Sequence, residues 1–265
     1  MSVSSVLKAA IAIATLVGLV ACGGNDSRTG PLVVGMELAY PPFEMSDKND
    51  QPIGISVEIA RALGEHLGRP IKIENIPFDG LIASLRTGKI DLIISSMTAT
   101  EQRAKTIDFS DPYLETGLCL LVSKDSDIQE IGQLNQPGRK VAVKNGTTGH
   151  NYAANEITAA DVLLFDKESE AVLEVSQGKV DAFIYDQMST YKNWTKRANT
   201  TRAILKPFKK ENWAVGIKKG NEELRLQVNE FLRTFKAQGG FEKLGDKYLA
   251  EQKEAFAKLG YPFYF

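Results

Sequence analysis

Apolar positions along the chain switch between two spacings. Leu32-Val33-Val34-Gly35-Met36 is an apolar run of strand length. Val57, Ile59, Ala60, Leu63 and Leu67 then recur at helical spacing, and Ile71-Lys72-Ile73-Glu74 alternates like a strand. Further strands are expected at Val141–Val143, Val162–Phe165 and Val180–Tyr185, with helices between them. This alternation predicts an α/β chain with open, mostly parallel sheets.

One pattern occurs twice. Leu81 to Ser95 reads as a helix, a stop at Gly88-Lys89, and a strand. Ala171 to Tyr185 reads the same way around Gly178-Lys179. Both glycines suit the left-handed position just past a helix. The repeat predicts two similar lobes. Each strand of the repeat runs out into polar residues, Ser95-Ser96 in one copy and Asp186 in the other. Open α/β sheets bind ligands beyond the carboxyl ends of their strands, so Ser96 and Asp186 are expected to face one cleft.

Ahead of the first strand the pattern changes. Residues 1–21 hold one basic residue, Lys8, and no acid. The apolar run Ala9 to Val20 is short for a membrane span and reads as a secretory leader. It ends in Leu19-Val20-Ala21-Cys22, which resembles a bacterial lipobox, and that resemblance implies a lipidated Cys22. Residues 22–30 would be a polar tether. The chain has 33 acidic and 32 basic residues, so nothing indicates a nucleic-acid partner. Cys119 lies in the apolar stretch Gly117 to Val122 and reads as a small buried hydrophobe.

Three segments offer anion-binding groups. Ser95 to Arg103 begins at a strand end and enters a helix capped by Thr100. Arg103 on that helix could return to the mouth and take a carboxylate with both prongs. Lys144-Asn145-Gly146-Thr147-Thr148-Gly149 lies between a strand and a helix, where free amides form a cradle. Asp186 opens a helix and would serve at least as its cap. Tyr40 and Phe78, also at strand ends, could clamp a side chain. His66 and His150 are expected on helix surfaces. No metal-ligand or catalytic-triad spacing stands out.

Gly35 to Glu44, Asp91 to Arg103 and Ile107 to Tyr113 together resemble the family-3 extracellular solute-binding proteins, over about Leu32 to Glu251. The resemblance implies a two-lobed periplasmic-binding-protein fold of type II, each lobe an open mixed sheet flanked by helices. Lobe one would be 31–117 plus 216–265, and lobe two 118–215, joined by crossing strands at Leu118–Ser123 and Trp213–Lys218. It also implies the roles. Arg103 takes a ligand α-carboxylate, with the amides and hydroxyls of Thr98 and Thr148. Asp186 takes the α-ammonium, with Ser96 and Thr98. Tyr40 and Phe78 enclose the side chain, and Glu37 meets its distal end. Ser95 and Thr147 complete the set. One position departs: Ser56 stands where the family pattern has an acid.

The implied function is amino-acid capture for an ABC permease, outside the cytoplasm, by a lipid-anchored monomer without cofactor or metal. Glu37 favours a basic ligand (arginine, lysine or histidine), and a neutral polar one such as glutamine is the alternative. A cyclohexadienyl-dehydratase-like enzyme and a soluble sensor partner are the rival functions on the same fold.

Overall fold

The computed structural model describes residues 30–261. The expectations for the leader, for Cys22 and for most of the tether lie outside the described residues. From Pro31 on, the described residues form one compact unit.

The chain runs β1 (Leu32–Met36), β2 (Ala39–Tyr40), β3 (Glu44–Ser46), β4 (Pro52–Ile53), α1 (Ile55–Leu67), β5 (Ile71–Asn75), α2 (Leu81–Thr87), β6 (Leu92–Ile93), α3 (Glu101–Ala104), β7 (Ile107–Phe109) and β8 (Leu114–Ser123). It continues with β9 (Lys140–Lys144), α4 (Thr148–Glu156), β10 (Asp161–Phe165), α5 (Glu168–Ser176), β11 (Ala182–Asp186), α6 (Gln187–Lys196), β12 (Thr201–Trp213), β13 (Gly216–Lys218), α7 (Glu222–Ala237), α8 (Gly240–Tyr248) and α9 (Ala250–Leu259).

Two five-stranded sheets result, ordered β5-β1-β6-β13-β7 and β10-β9-β11-β8-β12, with a small β2-β3-β4 sheet beside them. The expectation of mostly parallel sheets needs correcting. In each large sheet only three strands run parallel. The remaining pairings, β6–β13–β7 and β11–β8–β12, are antiparallel. The reason is the path of the chain. β7 continues into β8 and β12 into β13, so these strands join one sheet to the other instead of closing a strand–helix–strand unit.

The crossing points also differ from expectation. Leu118–Ser123 is held inside the second sheet by β11, with Asp186 opposite Leu118. The connecting ribbon is Leu114–Gly117 paired with Lys210–Trp213. On the return, Ala214 and Val215 separate β12 from β13, and Val215 O accepts from Ser110 N at 3.0 Å.

Period-two alternation explains the continuous apolar strands. Leu120, Val122, Val141, Val143 and Ile184 pack on one face of the second sheet, and Leu121, Ala142 and Phe183 on the other. Helices cover both faces, so both parities are apolar. The first sheet is built alike, with Val34, Leu63, Phe231 and Leu244 in one layer and Leu81, Leu85, Ile90 and Ile93 in the other. Cys119 is buried in the second sheet, as expected, and its thiol faces Leu205 O. Gly88 (φ 78°) and Gly178 (φ 68°) take the left-handed conformation that the repeat predicted.

Candidate functional site

All ten residues singled out from the sequence, Glu37, Tyr40, Phe78, Ser95, Ser96, Thr98, Arg103, Thr147, Thr148 and Asp186, line one cavity between the sheets. Its empty space, open mouth included, is about 450 Å³. Glu37 and Ser95 follow the carboxyl ends of β1 and β6, while Lys144 and Asp186 end β9 and β11. Both sheets therefore present the strand ends that bind ligands in such folds.

Arg103 is held on the short helix α3, whose cap Thr100 accepts from the Arg103 amide at 3.2 Å. Its guanidinium turns back and donates to Thr98 O at 2.7 Å and, from the other nitrogen, to Gly146 O at 2.9 Å. Burial pulls its pKa down to about 10, partly opposed by Glu211 and Tyr185, so it stays cationic at neutral pH. Gly146 (φ 72°) brings the β9–α4 loop against Asp79. A Cβ on Gly149 would stand 2.6 Å from Ile184 O, so only glycine lets the start of α4 sit this close to β11. The Thr148 and Gly149 amides belong to the first turn of α4, where no intrahelical acceptor exists. Thr147 also lines the cavity, but its hydroxyl is committed: it caps α4 by accepting from His150 N and donates to Lys144 O at 2.7 Å.

Asp186 is both the cap of α6 and a cavity wall. Its Oδ1 accepts from the amides of Met188 and Ser189, each at 3.0 Å, and from the Tyr40 hydroxyl at 2.6 Å. Burial raises its pKa to about 6, although the Tyr40 and Ser189 bonds pull the other way. Tyr40 therefore differs from the simple clamp expected of it. Its ring stacks on Phe43 and meets Tyr185 and Trp213 edge-on, and its hydroxyl holds Asp186. Phe78 is half-buried and has the Arg103 guanidinium 5.5 Å and the Lys144 ammonium 5.7 Å from its centroid.

Three charged residues at the site were not singled out from the sequence: Glu44 and Glu211 line the cavity, and Lys144 stands against Glu37. Lys144, 3% exposed, pairs with the Glu37 carboxylate. Glu211 of β12 accepts the hydroxyl protons of Thr98 and Thr148 on one oxygen, at 3.1 and 3.0 Å. In this structure those hydroxyls donate to Glu211, where the expectation set them at a ligand carboxylate. Glu44 of β3 accepts from Ser56 at 2.6 Å, Ser96 at 3.1 Å and Ser95 at 3.4 Å. Burial raises its pKa to about 8 against these bonds. His66 is exposed on α1. His150 is half-buried, and its Nδ1 accepts from Gly146 N at 3.4 Å.

A profile of the bacterial extracellular solute-binding proteins, family 3, matches residues 32–251. The chain belongs to this family. Among its family-3 relatives is the L-cystine-binding protein TcyJ of Escherichia coli, 31% identical over 222 residues, covering 83% of this chain and 82% of TcyJ. Among solved structures, the ancestral amino acid-binding protein AncCDT-1, a precursor of cyclohexadienyl dehydratase, is 37% identical with a TM-score of 0.76, covering 83% of this chain and 95% of its own. An ancestral arginine-binding protein bound to glutamine is 34% identical with a TM-score of 0.76, covering 83% and 98%. The family-3 match ends inside α9, whose Phe256 packs on Tyr191 of α6 with centroids 5.1 Å apart.

The family-3 pattern also gives Ser56 a meaning. This position lies directly behind the cavity, bonded to Glu44. An acid there would set a second carboxyl against a buried one, and serine removes that conflict.

Proposed function

We propose that this protein captures a free amino acid between its two lobes and delivers it to an ABC importer. The observation that carries the reading is the pair Arg103 and Asp186 on the wall of one cavity, each hydrogen-bonded to uncharged partners. A cation and an anion held in this way suit the two charges of a zwitterion. A ligand lacking either charge leaves a buried ion unpaired, at a cost of several kcal/mol.

The side chain follows from the second charged pair. Glu37 alone would favour a cation. With Lys144 bonded to it, a ligand guanidinium or ammonium would crowd Lys144. A side-chain amide can donate to Glu37 and accept from Lys144 at once, so a neutral polar amino acid, glutamine first, fits best. Ancestral arginine-binding relatives have been solved bound to glutamine and to arginine, so glutamine is within the range of ligands of such relatives.

The rest of the reading rests on the sequence. Residues 31–117 plus 216–265 form one lobe and 118–215 the other. Residues 1–21 are cleaved, Cys22 carries the lipid, and residues 22–30 tether a monomer outside the cytoplasm. Among the described residues no helix is long and apolar enough to cross a membrane. The cavity works by binding and not by turnover.

Calorimetry against the twenty amino acids tests the core claim. Tightest binding to L-glutamine is expected, and no heat with any amino acid would sink it. Turnover of prephenate or arogenate would replace the binding function with an enzymatic one. Labelled fatty acid should enter the wild type and not Cys22→Ala.

A further inference from the structure

The zwitterion reading gives Glu211 of the cavity wall no ligand group to bind. Glu211 sits on β12 opposite Thr116 of β8 and is 5% exposed. Its Oε2 gathers the Thr98 and Thr148 hydroxyls, one from each side of the cleft. Its Oε1 is buried with no hydrogen-bond partner. A threonine hydroxyl has one proton and two lone pairs. When both protons point at Glu211, only lone pairs remain to be offered elsewhere. A buried carboxylate in this position costs free energy. The two directed hydroxyls and the positive charges of Arg103 and Lys209 offset only part of that cost, which argues for a functional reason to keep it.

We infer that Glu211 is a positioning residue: it holds the Thr98 and Thr148 hydroxyls as hydrogen-bond acceptors in the cavity, so that Thr98 reads the ammonium of an amino acid. This rests on the proposed amino-acid function. The ligand carboxylate is then left to the Arg103 guanidinium and the first-turn amides of α4. Thr98 Oγ1 joins Asp186 as a second acceptor for the ammonium. The arrangement sharpens discrimination between an amino acid and the same acid without its amino group, because a molecule with no donor meets lone pairs. Glu211 itself need not touch the ligand.

The test compares two probes by calorimetry: L-glutamine, and glutaramate, which is glutamine without its amino group. If the pocket takes a cationic side chain, L-arginine and 5-guanidinopentanoate replace them. Glu211→Met removes the acceptor and frees both hydroxyl protons. It should weaken the amino acid about tenfold or more and the des-amino probe by less than about threefold. Glu211→Gln keeps an acceptor oxygen and drops the charge, so it should retain the wild-type ratio. In a Thr98→Val background, Glu211→Met should cost the amino acid nothing further.

Equal losses for both probes in Glu211→Met would reduce Glu211 to a structural role. Equal behaviour of the Gln and Met variants would make its charge the cause. Tighter binding of both probes would make it a repulsive brake. Each of these overturns the inference. If Glu211→Met does not fold, Thr98→Val alone must weaken the amino acid and spare the des-amino probe. A wild type that binds no amino acid defeats the parent function. A wild type that binds, with an unchanged ratio in Glu211→Met, defeats only the role of Glu211.

Discussion

Arg103 and Asp186 on the cavity wall, and the pair of Glu37 on that wall with Lys144 against it, are four largely buried ionisable side chains handled in opposite ways. The first two are surrounded by dipoles. Arg103 donates to two carbonyls, and Asp186 accepts from two amides and a phenol. Dipoles hold a charge in place without cancelling it, so a ligand still meets a cation and an anion. The second two are bonded to each other, and their fields largely cancel. On the proposed reading, a cavity built this way would read charge at one end and polarity at the other. That is what an amino acid with a polar, uncharged side chain presents.

The largest effect should come from breaking the first region. Arg103→Ala leaves the ligand carboxylate without its counter-charge in a largely buried site. The loss should be about 3–5 kcal/mol, enough to abolish binding in a calorimeter. Retained affinity would remove the carboxylate role from Arg103. Asp186→Asn should cost slightly less, about 2–4 kcal/mol. The fold should survive, because asparagine caps helices as well as aspartate does.

Asp186 also predicts a pH dependence. Burial lifts its pKa to about 6, and an ammonium pairs with the ionised form only. Above pH 6 affinity should be flat with respect to this group. As the pH falls through 6, the carboxyl must give up a proton to bind ligand, and affinity should fall by up to about tenfold per unit. The same titration on Asp186→Asn should lack that step.

Breaking the second region should change selectivity more than strength. Lys144→Met leaves Glu37 without its partner and restores an anion at the distal end. Affinity for L-arginine should rise relative to L-glutamine by about tenfold, roughly 1.4 kcal/mol. If the ratio of the two affinities does not move, cancellation by Lys144 is not what sets the side-chain preference. The variant should also melt earlier, since a part-buried carboxylate has lost its counter-charge.

The contrast also shows what a sequence can carry. Features set by a few neighbouring residues were legible: the Thr100 cap, the left-handed Gly88 and Gly178, and the polar ends of strands. The strand-end rule by itself drew Ser96 and Asp186 to one cavity. It applies equally to Lys144, the last residue of β9, and applied there it would have found the third strand-end charge. The partners were not legible. Glu37 and Lys144 are 107 residues apart, Glu211 and Thr98 are 113 apart, and Glu211 and Thr148 are 63 apart. Whether a charge is cancelled depends on those distant pairings, which Glu37 read alone does not show. The antiparallel strands were missed for the same reason: their pairing is decided by where the chain crosses between sheets, and no local period encodes that.

Glu44 sharpens the comparison, because it follows neither pattern. Among the described residues it has no counter-ion and accepts from serine hydroxyls, and burial moves its pKa to about 8. At neutral pH its charge is mostly absent, so it should contribute little to reading the ligand. Glu44→Gln should change affinity for L-glutamine by less than about threefold, or about 0.6 kcal/mol. Its signature lies in stability. In the unfolded chain the group titrates near 4.5. Between there and about 8 the folded protein holds a proton that the unfolded chain has lost. The contribution of Glu44 to stability is therefore present below that window and is lost as the pH rises through it. The glutamine variant should match the wild type near pH 5 and exceed it near pH 9 by several kcal/mol, because each pH unit between the two titrations is worth about 1.4 kcal/mol. Urea unfolding at the two pH values reads this directly. Parallel midpoints for the two proteins would place a charged carboxylate behind Ser95 and Ser96, and a third ion would then have to be counted when the cavity reads its ligand.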